Sequence, residues 1–349
     1  MKIAILIRRT DSPGGAEQSM KTLSDHLKNE HQVKLMPLIN KQSKGSKSFN
    51  FPLPRQMKIM GGFLEGMSKR KELEEFGPDL ILAQHELAYL GSWYSSKKDV
   101  PMIYFLRDYE NLYDERFYGR YKPDATINYA TSYLAETYTK KILSTSSEII
   151  ANSNYLGKRY EEHFNIETET IYPFVDPEAY KVDETGEKIL HVNPTEEKGI
   201  DITLDVAEQM PEKEFIIAGT TKKEKIKQRM EKLENVEHLG YVEDMKEAYK
   251  QTRIVLVPSK WEEPYGRIPI EAGASGIPTI ATSNGGLSES VGNSELLVDS
   301  EDSEKFVEKI KEVEEKYEKF SEKARENTEE KSQEKQLEKF EGLMEDVTK

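Results

Sequence analysis

Apolar residues along this chain fall into short β-rich runs with helical stretches between them. "KIAILI" (2–7), "VKLMPLI" (33–39), "DLILAQ" (79–84), "PMIYFL" (101–106) and "SEIIANS" (147–153) read as strands. After the first, "AEQSMKTLSDHLKNE" carries Met20, Leu23 and Leu27 at helical spacing. Buried runs separated by helices predict parallel α/β layers, because strands covered on both faces need no polar side. Residues 40–75 interrupt the rhythm with Lys, Ser, Gly and Pro. It restarts near residue 187 with "KILHVNP", "KEFIIAG", "NVEHLGYV", "RIVLVPS" and "PTIATS". "YPFVDPEAYKVDETGE" (172–187) has the composition of a linker. The pattern therefore predicts two Rossmann-like doubly wound domains, 1–172 and 187–330. Residues 331–349 read as a terminal helix that can cross back to the first domain. From Glu301 the chain is rich in Glu and Lys, with Phe306, Ile310, Val313 and Tyr317 as one apolar stripe. Most of those charges read as a solvated face.

Composition narrows the function. A chain of 349 residues exceeds the usual single core. It has no cysteine, which removes disulfides, thiolate metal sites and Cys nucleophiles and fits a cytoplasmic protein. No apolar run is long enough for a transmembrane helix, and the apolar stretch of "MKIAILIRRT" is too short for a signal peptide. Residues 1–170 hold 24 Lys and Arg against 22 Asp and Glu, while the remainder holds 26 against 42. An acidic second half argues against nucleic-acid binding. The near-neutral first half leaves room for local basic patches.

The candidate chemistry concentrates in "SKWEEPYGRIPIEAGASGIPTIATSNGG" (259–286). "RIVLVPS" ends a strand, so "KWEEPYG" is a loop at its carboxyl end, where open α/β sheets bind ligands. "RIPIEAGASG" then starts a helix, whose unpaired N–H groups suit a phosphate. Glu271 lies about one turn in, within reach of a ribose hydroxyl pair, and Glu263 on the loop faces a second polyol. Two acids at different depths with phosphate donors between them suit a sugar nucleotide. Taken singly, Glu271 is also what a helix dipole favours, and Glu263 what any solvated loop carries. A second loop, "NPTEEKG", sets Lys198 before an amphipathic helix, as a point charge for a diphosphate. A third, "SPGGAE", offers Gly14 and Gly15 for close backbone approach to a ligand.

Over nearly its whole length the chain resembles the family-4 retaining glycosyltransferases of the GT-B fold. Their most specific motif, E-x7-E, is matched by Glu263 and Glu271. "GASGIPTIATSNGGLSE", "EKG", "GGAE", "ANSNYL" and "YPFVD" match further segments. The resemblance implies two Rossmann-like domains facing across a cleft that closes in catalysis. It places the donor, a UDP- or GDP-sugar, on the second domain and the acceptor on the first. Glu271 would bind the ribose, and Glu263 the transferred sugar with Pro264, Tyr265 and Gly266 along it. Lys198 would meet the diphosphate, and Val242 in "GYVED" would lie by the base. It implies no resident cofactor and no metal. Catalytic candidates are Glu263, Lys198 and Arg107. Two departures stand out: Asn193 occupies the place of a common Arg five residues before the Lys, and Arg107 that of a common His. Arg107 or Arg267 can supply the missing charge. The acceptor would be a glycan, a lipid-linked sugar or a small molecule. Residues 41–71 interleave cations with Phe and Met and suit peripheral contact with an anionic membrane. Alternatives are a sugar-nucleotide 2-epimerase, for which the six histidines show no grouping, and a non-catalytic sugar-nucleotide or glycan-binding relative.

Overall fold

The computed structural model describes residues 1–9, 15–39, 66–109, 112 and 136–349. The chain divides into two compact units, Met1–Phe174 with Leu337–Lys349, and Val175–Gln336.

The first unit is built on a parallel sheet ordered β2-β1-β3-β4-β5-β6. Its strands are β1 (Lys2–Arg9), β2 (Gln32–Ile39), β3 (Leu80–Gln84), β4 (Met102–Leu106), β5 (Glu148–Ala151) and β6 (Glu169–Thr170). β3 and β4 are buried along their whole length, as their unbroken apolar runs require. Ile5 stands opposite Leu35 on one side and Leu82 on the other. The helix Gly15–Leu27 lays Met20, Leu23 and Leu27 onto this sheet, beside Ile3, Ile5, Leu82 and Phe105. The same core takes Leu337, Phe340 and Met344 from the terminal helix Gln333–Thr348.

The second unit repeats the plan with the order β12-β11-β10-β7-β8-β9. Here the strands are β7 (Lys188–Val192), β8 (Phe215–Ala218), β9 (Val236–Gly240), β10 (Thr252–Val257), β11 (Thr279–Thr282) and β12 (Leu297–Val298). Leu256 pairs with His191 on one side and Ile280 on the other, all parallel. Two doubly wound α/β sheets are thus present, as the alternation of runs predicts.

Three features differ from the pattern. β6 and β12 have two residues each, too few for any periodicity. Residues 172–187 pack rather than dangle: Phe174, Val175 and Val182 are buried. The acidic C-terminal stretch is three helices, Ser303–Glu315, Tyr317–Glu330 and Gln333–Thr348. Phe306, Ile310 and Val313 are buried on the first of these, but Tyr317 opens the second. Its ring lies 3.8 Å from the Arg253 guanidinium.

Candidate active site

In the second unit the strand order reverses between β7 and β10. At such a point the loops leaving adjacent strands diverge and open a crevice at the carboxyl edge. The loops after β7, β10 and β11 meet there and are tied by backbone groups. The N–H groups of Lys260 and Trp261 donate to the Glu197 carbonyl at 2.9 and 3.1 Å. The Ser259 carbonyl accepts from Thr282 Oγ1 and Asn284 Nδ2, both at 2.7 Å. Gly286 N–H donates to the Glu263 carbonyl at 2.7 Å. Two glycines make these approaches sterically feasible. At Gly199 (φ 73°) a Cβ would sit 1.9 Å from the Pro258 oxygen, and at Gly285 (φ 70°) 2.3 Å from the Glu263 oxygen.

This frame holds both motif acids in buried positions, each 7% exposed. Glu263 Oε1 pairs with the Lys198 ammonium and accepts from Ser259 Oγ at 3.0 Å. The loop after β7 and the loop after β10 therefore exchange a charge pair. Glu271, on the short helix Ile268–Gly273, meets Arg267 Nε at 3.2 Å through Oε1. Its Oε2 accepts from the Tyr249 hydroxyl at 3.3 Å. Arg267 in turn donates through Nη2 to the Tyr180 hydroxyl at 3.0 Å. Burial raises the Glu271 carboxyl above its ordinary range, and Arg267 with the Tyr249 and Tyr180 hydroxyls opposes that rise. Burial and the neighbouring Glu271 push the Tyr249 hydroxyl well above a usual phenol. Both acids are desolvated and held by a cation and a hydroxyl, so ligand hydroxyls can exchange for these partners at little cost in water-facing bonds.

The remaining expected residues lie as follows. Tyr265 is buried and Pro264 half-buried, and Gly266 turns with φ 85° against Leu287. Val242, just past β9, packs on the cluster that includes Tyr249 and Ala272. Asn193 is in the left-handed region (φ 65°). Its N–H donates to the Ala218 carbonyl at 2.8 Å, and its own carbonyl accepts from Thr195 N–H at 2.7 Å. Asn tolerates that conformation better than Arg does, which gives a backbone reason for the departure at this position. Arg107 belongs to the first unit, immediately after β4, and is buried. Gly15 opens the helix Gly15–Leu27, whereas Gly14 lies outside the described residues. Residues 41–65 of the basic and apolar segment 41–71 lie outside them too. Among the described residues no helix is long and apolar enough to cross a membrane.

Sequence reasoning missed Ser259, Tyr249 and Tyr180. Ser259 sits in the quoted motif four residues before Glu263 and could have been suspected as its partner. The two tyrosines are 22 and 87 residues away from the charged groups they bond, and no local pattern marks them.

Residues 13–179 match the model of Glycosyltransferase Family 4, and residues 175–332 that of Glycosyl transferases group 1. With two doubly wound parallel sheets, these matches define the class: the chain is a GT-B glycosyltransferase of the family-4 type. The chain is similar to an uncharacterized 42.6 kDa protein in the cps region of Klebsiella pneumoniae. The two are 33% identical over 161 residues, 43% of this chain and 42% of that protein. It is also similar to mannosylfructose-phosphate synthase of Agrobacterium fabrum, 33% identical over 127 residues, 31% of this chain and 28% of that protein. The chain thus spans less than half the length of the curated relatives it matches. Two solved structures share the fold across 99% of both chains. Sucrose-phosphate synthase from Thermosynechococcus elongatus has a TM-score of 0.78 at 17% identity. Anabaena Alr3699/HepE, in complex with UDP and glucose, has a TM-score of 0.75 at 18% identity.

Proposed function

We propose that the protein is a retaining, metal-independent hexosyltransferase that takes its sugar from a nucleotide-sugar donor bound to the second unit. The observation that carries this reading is the pair of buried acid–cation contacts, Glu263 with Lys198 and Glu271 with Arg267, at the switch point of that unit's sheet. In this reading Glu271 accepts from the ribose hydroxyls and exchanges them for its contacts with Arg267 and Tyr249. Lys198 leaves Glu263 to meet the diphosphate, and Glu263 is then free to accept from the sugar. Pro264, Tyr265 and Gly266 line the sugar, and Val242 borders the base. UDP is the preferred nucleotide, since the Anabaena neighbour was crystallised with UDP, with UDP and glucose and with UDP-glucose.

The reaction breaks the bond between the anomeric carbon and the diphosphate oxygen and forms one to an acceptor oxygen on the same face. The acceptor's proton passes to the departing phosphate oxygen, so no enzymic nucleophile is required. Negative charge grows on the diphosphate in the transition state, and the Lys198 ammonium, once seated on it, stabilises it there more than in the ground state. The acceptor is a glycan, a lipid-linked sugar or a small molecule. The protein works in the cytoplasm, with peripheral contact to anionic membranes through residues 41–71. Co-sedimentation with anionic vesicles at low salt tests that contact, and a protein that stays in the supernatant removes it.

The decisive test of the activity is product analysis with UDP-, GDP- and ADP-sugars. Glycosyl transfer with the anomeric configuration kept supports the proposal. An epimerised donor sugar, or donor binding without turnover, replaces it with another reading.

A further inference from the structure

The first unit holds a buried cation that meets no anion among the described residues. Arg107 is 8% exposed, and among the described residues no carboxylate pairs with it. Its Nε donates to Gln84 Oε1 at 3.3 Å, its Nη2 faces Met20 Sδ at 3.1 Å, and its guanidinium lies 4.8 Å from the Phe105 ring centre. Burial lowers its pKa to about 10, with Glu17 opposing, so the group stays charged at neutral pH. A desolvated guanidinium without a counter-ion is costly, and a buried charge perturbed in this way marks a candidate ligand site.

Two amides beside it are also incompletely bonded. Nε of arginine can only donate, so the oxygen of the Gln84 amide must face it. The Gln84 nitrogen, fully buried, then has no partner among the described residues. Asn152 Nδ2 donates to the Arg107 carbonyl at 3.1 Å, which fixes that amide as well. Its Oδ1 is buried without a partner among the described residues. Gln84 ends β3, Arg107 follows β4 and Asn152 follows β5, so three adjacent parallel strands deliver one residue each to one edge of the sheet. β3 adjoins β1 where this sheet's strand order reverses, and His85, directly after Gln84, is held at φ 52°. Strain of this kind gathers at ligand sites.

We propose that Arg107, Gln84 and Asn152 form an anion-binding site for a phosphate or carboxylate carried by the acceptor, with Asn152 taking a neighbouring hydroxyl. The residues supply a fixed cation, an amide donor and one acceptor, the complement of a charged oxygen group beside an O–H. An acidic acceptor such as a sugar phosphate or a sugar acid is therefore preferred over a neutral one. Only the assignment of the anion to the acceptor rests on the glycosyltransferase reading.

Calorimetric titration of the full-length protein tests this with inorganic phosphate, glucose 6-phosphate, glucuronate, glucose and, separately, UDP. Both phosphates or glucuronate should bind more tightly than glucose, and the stronger of the two anion classes identifies the charged group. Arg107→Gln should weaken that binding on the order of 10- to 100-fold, as expected for losing a charge-assisted hydrogen bond. Arg107→Lys should keep part of it, and Gln84→Met should give a smaller loss. UDP affinity should stay unchanged in all three. Equal weakening of UDP by Arg107→Gln would assign the residue to the donor diphosphate and overturn the proposal. So would anion affinity no better than that of glucose, or no response to Gln84→Met and Arg107→Lys. Anion binding without transfer from any nucleotide sugar would leave this site standing and remove the glycosyltransferase reading instead.

Discussion

Glu263 and Glu271 are equally buried, and in the proposed reading they have different tasks. Glu271 is held by Arg267 and Tyr249, and Glu263 by Lys198 and Ser259. A ribose contact is the same in ground and transition states, whereas a sugar contact can strengthen as positive charge develops at the anomeric carbon. Glu271→Gln should therefore raise the Kd for UDP about tenfold or more, the scale of one hydrogen bond to a charged group. Glu263→Gln should leave that Kd within a few-fold and lower kcat by about 10- to 100-fold. Steady-state kinetics and UDP titration on both variants check the split, and unchanged activity in both would remove the site assignment. The two acids and Lys198 were legible in the sequence because one short motif and one loop carry them. Their hydroxyl partners Tyr249 and Tyr180 were not, because they sit on a separate helix and in the segment before β7, which only the fold brings beside Arg267 and Glu271. Asn193 could be seen as a departure, but its left-handed backbone could not.

At the scale of elements, the strands were readable where an apolar run filled them and unreadable where pairing alone defines them, as in β6 and β12. The loops were readable by their glycines, although the sequence did not say what each glycine avoids. Gly199 separates the loop after β7 from Pro258, and it caps the helix Ile200–Gln209 with φ 73°. Gly199→Ala should cost more than the ~1 kcal/mol of a left-handed alanine, because the Pro258 backbone must also move. We expect a lower Tm and a Kd for UDP raised together with it, since Lys198 is the preceding residue. A Tm and Kd both unchanged would show that the loops are not in contact. At the end of β7, His191 bonds Thr203 Oγ1 through Nδ1 at 2.8 Å. Burial, with Lys198 adding to it and the Asn193 carbonyl opposing, lowers its pKa to about 4. A depressed pKa means that the unfolded state takes up the proton first. The neutral imidazole thus contributes stability above pH 6.5, which is lost as pH falls from 6.5 towards 4. The full loss is about 3 kcal/mol. His191→Gln should flatten that part of the Tm–pH curve, and an unaltered acid limb would assign it to other groups.

At the scale of the whole chain, the terminal helix does not belong to the unit that precedes it. Gln333 N–H donates to the Val175 carbonyl at 2.9 Å, so the chain enters and leaves the second unit at neighbouring points. From Leu337 onward the helix completes the first unit's core, where the Phe340 ring stacks on Phe105 at 5.9 Å and meets Phe174 edge-on at 6.4 Å. The Glu and Lys content of this stretch hides three apolar residues at helical spacing, Leu337, Phe340 and Met344. The crossing back to the first domain was expected from the sequence, but the contacts with Phe105 and Phe174 were not, because periodicity gives a buried face without its partners. His26 pairs with Glu341 at 2.7 Å on the half-exposed side of the same contact, and a surface pair of this kind adds little. The apolar contact carries the docking. Phe340→Ala should therefore destabilise the first unit by about 3–5 kcal/mol, the usual cost of removing a buried aromatic ring. The second unit has its own core around Ile254, Leu256, Ile280 and Phe306 and should keep its melting transition. Scanning calorimetry with and without UDP separates the two, because a ligand of the second unit raises only that unit's transition. We expect the ligand-insensitive transition to fall in Phe340→Ala and the UDP-sensitive one to stay in place. A variant in which the UDP-sensitive transition falls instead would assign the terminal helix to the second unit.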